Sequence, residues 1–127
     1  MLSRLTRVVQ VEQVDFLSVP TRDIERAVTW YSEVFGLPVS EHTKGEVETP
    51  NVTLSFWNPE ADGEEFQPNA AGIGLRVPDV EEARRELEAR GVEFIGDTYD
   101  SGVCLMGFCK DPDGNTVILH RRYKPRG

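Results

Sequence analysis

The chain shows two kinds of hydrophobic pattern, and the same order of patterns occurs twice. Apolar and polar residues alternate over residues 14–19 and again over residues 72–77, which is the period of a β-strand with one buried face. After each of these segments, apolar residues recur every three or four positions, as they do on one face of a helix. The repeated order of strand, helix and further strands predicts two similar modules, over about residues 13–58 and 70–121.

Both predicted helices have clear end signals. Asp23 and Asp79 stand directly before the helical patterns, where a carboxylate can accept hydrogen bonds from the first turn. Gly36 and Gly91 stand where the helices should end. We therefore predict helices that begin just after Asp23 and Asp79. The apolar stripe of the first helix consists of Ile24, Ala27, Val28, Tyr31, Val34 and Phe35.

The remaining strands are predicted from shorter segments. In the first module they cover residues 37–44 and 51–58, and in the second they cover residues 92–96, 103–110 and 116–121. Residues 111–115, with the sequence Asp-Pro-Asp-Gly-Asn, form a strong turn signal between the last two strands. Residues 59–69 are acidic and rich in turn-forming residues, so we predict that they form a linker between the two modules. A chain of 127 residues is the usual size of one domain, so we assign residues 1–127 to a single domain.

Composition narrows the choice of partners. The formal net charge is −8, which disfavours a nucleic acid as a ligand because its phosphates would be repelled. No segment approaches the roughly 18 apolar residues of a membrane span. Cys104 and Cys109 are an odd number of residues apart on a predicted strand, so their side chains should point to opposite faces and cannot easily bridge each other. We expect a cytoplasmic protein with reduced thiols.

Two motifs resemble those of a known family. Residues 23–37 are similar to the first-helix signature of the vicinal oxygen chelate superfamily, which includes glyoxalases, bleomycin-resistance proteins and dioxygenases. Residues 111–115, followed by an apolar strand, resemble its closing hairpin. With the repeat, the resemblance covers residues 13–121. It implies an α+β fold of two tandem βαβββ modules, whose curved mixed sheets surround a cavity.

The resemblance also implies where a metal would be held. Glyoxalases and extradiol dioxygenases of this superfamily use a divalent metal, whereas bleomycin-binding proteins do not. The ligand positions of the metal-using relatives fall at Asp15, Ser55, Gly72 and Ile118 of this sequence, and only Asp15 carries a good ligand. A divalent cation needs several converging oxygen or nitrogen donors, so we expect no metal and no other cofactor.

Strand alternation predicts which side chains face the cavity. Ile73, Leu75 and Val77 belong under the helices, so the alternate residues of that strand should face the cavity. The same reasoning for the other strands gives the following cavity-facing set: Asp15, Leu17, Val19, Thr53, Ser55, Trp57, Gly72, Gly74, Arg76, Thr116, Ile118 and His120. An apolar lining with a few polar groups suits a small organic molecule. Two partners remain open for Arg76, namely Asp15 and an anionic group of a ligand.

Three functions are compatible with these features. The first is a metal-independent small-molecule-binding protein, acting by sequestration or by metal-free chemistry. The second is a metal-dependent lyase, isomerase or dioxygenase of the glyoxalase type, with non-standard ligands such as Asp15 and His120. The third is a structural or regulatory module whose cavity is filled by its own side chains. We also predict a homodimer, because the apolar residues between Leu5 and Val11 lie outside the repeat and need a cover.

Overall fold

The computed structural model describes residues 9–126. Its helices are α1, Ile24–Phe35, and α2, Val80–Ala89. A short 3-10 helix, Pro59–Asp62, lies in the segment between the modules. The strands are β1, Phe16–Pro20; β2, Glu46–Glu48; β3, Thr53–Trp57; β4, Ile73–Arg76; β5, Phe94–Asp100; β6, Cys104–Lys110; and β7, Thr116–Arg122.

The strands form two mixed sheets, one in each module. The three-stranded sheet has the order β1-β3-β2, and the four-stranded sheet has the order β4-β7-β6-β5. In each sheet the first strand of the module pairs in parallel with its last strand, and the remaining pairs are antiparallel. Helix α1 packs on β2 and β3, whereas α2 packs on β5, β6 and β7. The α+β architecture with two modules predicted from the sequence is therefore confirmed.

Both helices begin where their caps predict. The Asp23 carboxylate accepts a 3.0 Å hydrogen bond from the backbone N–H of Arg26, and the Asp79 carboxylate accepts one of 2.9 Å from that of Glu82. Gly36 has a φ of +66°, a left-handed conformation that costs glycine little, and it ends α1. Local sequence thus sets the start of both helices and the end of α1, whereas α2 is capped at Arg90, one residue before the predicted Gly91.

The first module differs from the prediction after α1. The strand predicted over residues 37–44 is wrong, since only Val39 forms an isolated bridge there, opposite Val47. Residues 41–44 are polar and form bends and a turn. The strand forms instead around Val47, which is completely buried and packs into the core. The strand predicted over residues 51–58 is present as β3.

One hydrophobic core runs through both modules on the helix side of the sheets. It joins Ala27, Tyr31 and Leu54 of the first module to Cys109 and Val117 of the second. Neither helix of the described residues is long and apolar enough to cross a membrane. The continuous core leaves the opposite sides of the sheets free for other contacts.

The turn at residues 111–115 holds the two modules together. The buried carboxylate of Asp111 accepts hydrogen bonds from the phenol of Tyr31 at 2.7 Å and from the side chain of Asn115 at 2.8 Å. The carboxylate of Asp113 accepts a hydrogen bond of 2.6 Å from the Thr21 hydroxyl, and it pairs with the Arg26 guanidinium at 2.6 Å. The motif that suggested the family therefore also provides polar contacts between the modules.

Candidate functional site

The strand register decides which side chains lie opposite the helices. We call the sheet surface on that side the open face. In the four-stranded sheet, Val117 and Leu119 are buried in the core, so their neighbours Ile118 and His120 point to the open face. A β-carbon placed on Gly72 would lie 3.0 Å from Cδ1 of Ile118, which puts Gly72 on the same face. Gly74 and Arg76 share it by register with Ile118 and His120.

The open face of the four-stranded sheet is organised in rows that cross all its strands. One row contains Arg76, His120, Met106 and Tyr99, because each is the register partner of the next. The adjacent row contains Gly74, Ile118, Phe108 and Ile95. Of these two rows, the first carries the polar groups of Arg76 and His120, and the second is apolar.

The structure adds Met106, Phe108, Ile95 and Tyr99 to the residues predicted for this face. Strand β6 is almost entirely apolar, so alternation alone does not say which of its side chains point away from the helices. The turn at residues 111–115 could have identified these residues. It joins β6 and β7 in an antiparallel hairpin, in which paired residues of the two strands point to the same face. In β5 a register shift between Ile95 and Tyr99 obscures the pattern further.

In the three-stranded sheet, β3 points as predicted. Leu54 and Phe56 are buried, and Thr53, Ser55 and Trp57 lie on the open face. Trp57 is 43% exposed, and its indole N–H donates a 2.7 Å hydrogen bond to the Asp62 carboxylate. Ser55 and Ile118 both lie opposite the helices, although they belong to different sheets.

The prediction for β1 is wrong by one residue. Val19 is completely buried in the core and pairs with the buried Phe56, while Leu17 pairs with the buried Leu54, so both lie on the helix side. The alternate residues Phe16 and Ser18 occupy the open face instead. Apolar residues occur at both parities in this segment, and only packing into the core decides between them.

Asp15 does not join the other predicted site residues. It lies just before β1, is exposed, and its carboxylate accepts a 2.9 Å hydrogen bond from the Gln13 side chain. The proposed ion pair between Asp15 and Arg76 is not formed. Arg76 is exposed rather than half-buried. Among residues 9–126 its guanidinium has no ion pair and no side-chain hydrogen bond, so it is available to an external anion.

The residues at the family's metal positions do not fit a divalent cation. Ser55 offers one hydroxyl, and Gly72 and Ile118 offer no side-chain donor. Gly72 also has a φ of +95°, a backbone conformation that residues other than glycine rarely adopt. In the described part of the chain, no three His, Cys, Asp or Glu side chains converge on one point. No step of any reaction is therefore assigned to a metal.

The buried groups whose pKa values are raised, Cys109 and Tyr31, lie on the helix side rather than on the open face. Burial, followed by the nearby Asp111 carboxylate, raises the pKa of the Cys109 thiol to about 11. Burial and the same carboxylate also raise the pKa of Tyr31 well above its usual range. Cys109 pairs with the core residue Val117, whereas Cys104 pairs with Arg122, so the two thiols lie on opposite faces as predicted. Both are free cysteines, and Cys109 is held in its unreactive thiol form.

Each sheet leaves its open face accessible to solvent in the single chain. Phe16, Trp57 and Tyr99 are 54%, 43% and 53% exposed, respectively. Two surface hollows lie elsewhere. One, of about 480 Å³, runs along α1 from Asp23 to Glu33, and the other, of about 430 Å³, lies between Trp30 and residues 90–93. The residues that the sequence predicted to line a cavity therefore lie on open, solvent-accessible sheet faces in a single copy of the chain.

This fold and the motifs that shape it define the family. The Glyoxalase/Bleomycin resistance protein/Dioxygenase superfamily matches the chain over residues 13–119. The protein belongs to this superfamily, which confirms the resemblance seen in the sequence.

Solved structures with similar folds have different roles. A superfamily member from Sphaerobacter thermophilus DSM 20745 is 22% identical with a TM-score of 0.74, covering 88% of this chain and 98% of its own. TnmS3, an antibiotic binding protein from Streptomyces sp. CB03234, is 24% identical with a TM-score of 0.74, covering 91% and 99%. A lactoylglutathione lyase from Agrobacterium tumefaciens is 16% identical with a TM-score of 0.72, covering 87% and 93%. These similarities establish the fold and leave the activity to be argued from the site.

Proposed function

We propose that this protein binds a small organic molecule on the open face of the four-stranded sheet, and that it does so without a metal. The observation that carries the proposal is the composition of that face. Apolar and aromatic side chains lie beside two polar groups, Arg76 and His120, while two of the metal positions hold Gly72 and Ile118. Sites of this kind usually bind organic ligands through apolar contact and a few oriented polar groups.

The two named relatives represent the two alternatives for this chain. One is described as an antibiotic binding protein and the other as a lactoylglutathione lyase. A metal-dependent lyase, isomerase or dioxygenase would need ligands here such as Asp15 and His120. Because Asp15 lies outside β1 and bonds to Gln13, while His120 lies on the other sheet, the donor set supports sequestration or metal-free chemistry.

A second copy of the chain is proposed as the cover for the exposed apolar residues. Val9, Val11 and Val14 are 89%, 79% and 62% exposed, and Phe16 follows them on the open face. Contiguous apolar surface of this kind is costly in water and is typical of an interface. We therefore propose a homodimer in the cytoplasm. The apolar residues from Leu5 to Val8 that contributed to this prediction lie outside the described residues.

A thermal-shift screen tests the proposed function. The purified protein would be screened against divalent metals, thiols, coenzyme A esters, catechols and glycopeptide antibiotics, each with and without EDTA. A compound that binds the native state raises the melting temperature, so we expect at least one organic compound to raise it equally in both conditions. Stoichiometric nickel, zinc, iron or manganese that copurifies with the protein, and is lost in His120→Ala, would overturn the metal-free proposal.

A further inference from the structure

The open face of the four-stranded sheet carries unpaired positive charge, although the chain as a whole is acidic. The formal net charge is −8. Arg76, His120 and Arg122 nevertheless occupy neighbouring positions at one end of this face, and the strand positions paired with them are Met106 and Cys104. No acidic side chain occupies the register positions of these residues. An external anion is therefore the natural partner of this cluster.

Existing contacts leave the donor groups of Arg76 and His120 free. Among residues 9–126, neither Arg76 nor His120 has a side-chain hydrogen bond or an ion pair with an acid. Arg122 donates one long hydrogen bond of 3.4 Å to the carbonyl oxygen of Pro125, and its buried Nε has no partner in the described chain. At the far end of the face, Lys110 donates instead to the Thr116 hydroxyl at 3.0 Å. The unsatisfied donors are thus concentrated beside Arg76.

The neighbouring row supplies an apolar surface with room above it. Ile118 and Phe108 are half-buried, and Ile95 is 45% exposed. Gly74, at the edge of this row, has nothing within 4 Å of the place where a β-carbon would be. Rows two residues apart along a strand are separated by about 7 Å, and adjacent strands by about 5 Å. The distance between the two rows suits an aromatic ligand whose anionic group is attached at the edge of its ring system.

We propose that the ligand is an organic anion with a flat apolar body, an inference that rests on the proposed function. Its anionic group lies between Arg76 and His120, and its body covers Gly74, Ile118 and Phe108. The guanidinium donates to the anion as a charged group, and an imidazole N–H can donate in either protonation state. Carboxylate, sulfonate and phosphate groups share the chemistry that this pair recognises.

Two fluorescent probes that differ in one group separate charge recognition from apolar binding. The anionic probe is 8-anilinonaphthalene-1-sulfonate, and N-phenyl-1-naphthylamine has the same rings without the sulfonate. Both would be titrated with the wild-type protein, at fixed ionic strength and under conditions where near-ultraviolet circular dichroism confirms the native state. We expect the anionic probe to bind about ten-fold more tightly or better, the range for a charge-assisted hydrogen bond.

Three variants locate the two parts of the site. Arg76→Gln should remove the preference for the anionic probe and leave the affinity of the neutral probe unchanged. Arg121→Gln is the matched control, since Arg121 is exposed on the same strand but has the opposite parity, and it loses the same charge. Gly74→Leu should weaken both probes, because its side chain would fill the open space above the apolar row.

The outcomes distinguish this inference from the proposed function. If neither probe binds the wild type, this inference is overturned, whereas the thermal-shift screen decides the proposed function. If both bind equally and Gly74→Leu weakens both, the site exists but does not select an anion, so only this inference is overturned. Equal losses in Arg76→Gln and Arg121→Gln would also overturn it, because they would indicate long-range attraction alone. If Arg76→Gln weakens the dimer in sedimentation without affecting the probes, the cations serve a second copy of the chain and the inference is wrong.

Discussion

The phenol of Tyr31 donates a 2.7 Å hydrogen bond to the carboxylate of Asp111, and this contact joins the helix of the first module to the closing turn of the second. Tyr31 is 1% exposed and Asp111 is 6% exposed. Within the described chain the Asp111 carboxylate forms no ion pair. Its negative charge is therefore stabilised by hydrogen bonds. Losing one donor should therefore be costly.

Tyr31→Phe should lower the free energy of unfolding by about 1–3 kcal/mol, because it removes one donor from a buried carboxylate while preserving the ring. Urea denaturation measures the change. Tyr123→Phe is the control, since its hydroxyl donates to Asp100 at the exposed surface, and we expect a change within about 0.5 kcal/mol. A Tyr31→Phe protein as stable as the wild type would show that the contact between the modules does not depend on this bond.

Alkaline pH should destabilise the fold through Cys109 and Tyr31. The unfolded thiol ionises near its ordinary pKa of 9.0, whereas burial and then Asp111 raise the folded pKa of Cys109 to about 11. In that interval the unfolded chain binds fewer protons than the folded chain, so by linkage the free energy of unfolding falls as pH rises. The raised pKa of Tyr31 acts in the same direction.

Denaturation curves recorded from pH 8 to pH 11 test this effect. We expect Cys109→Ala and Tyr31→Phe each to show a shallower fall in stability with pH than the wild type, whatever their stability at pH 8. If all three proteins lose stability in parallel, the fall arises from the overall negative charge rather than from these two groups.

Ligand binding should depend on Arg76 and should not depend on metal. For an anionic ligand found in the thermal-shift screen, Arg76→Ala should cost about 1.5–3 kcal/mol of affinity, the range for hydrogen bonds to charged groups. Trp57→Ala should weaken binding if the ligand reaches the open face of both sheets. Isothermal titration with and without EDTA measures these effects. Unchanged affinity in Arg76→Ala contradicts the assignment of the site, and loss of binding in EDTA contradicts the metal-free proposal.

Light scattering should give the mass of a dimer at micromolar concentration. Val11→Asp and Val14→Asp place a charge among the exposed apolar residues, and either should shift the equilibrium toward the monomer. Arg85→Asp, a charge change on the solvent-facing side of α2, serves as the control. A wild-type protein with the mass of a monomer would contradict the proposed dimer.

Features that depend on neighbouring residues could be predicted from the amino-acid sequence alone. Helical spacing and the carboxylates of Asp23 and Asp79 predict where both helices begin, because a cap satisfies N–H groups within the next three residues. Clear alternation in β4 and β7 places Arg76 and His120 on the same face. The family resemblance came from the same local motifs, so the fold was recognisable without coordinates.

Features that depend on packing between distant residues could be seen only in the folded chain. In β1 and β6 apolar residues occur at both parities, so only contact with the helices decided that Val19 is core and that Met106 and Phe108 face outward. A strand also formed around Val47 rather than over residues 37–44, because a buried position opposite α1 needed an apolar side chain. A period of two assigns residues to two faces, but burial against another element decides which of those faces is the core.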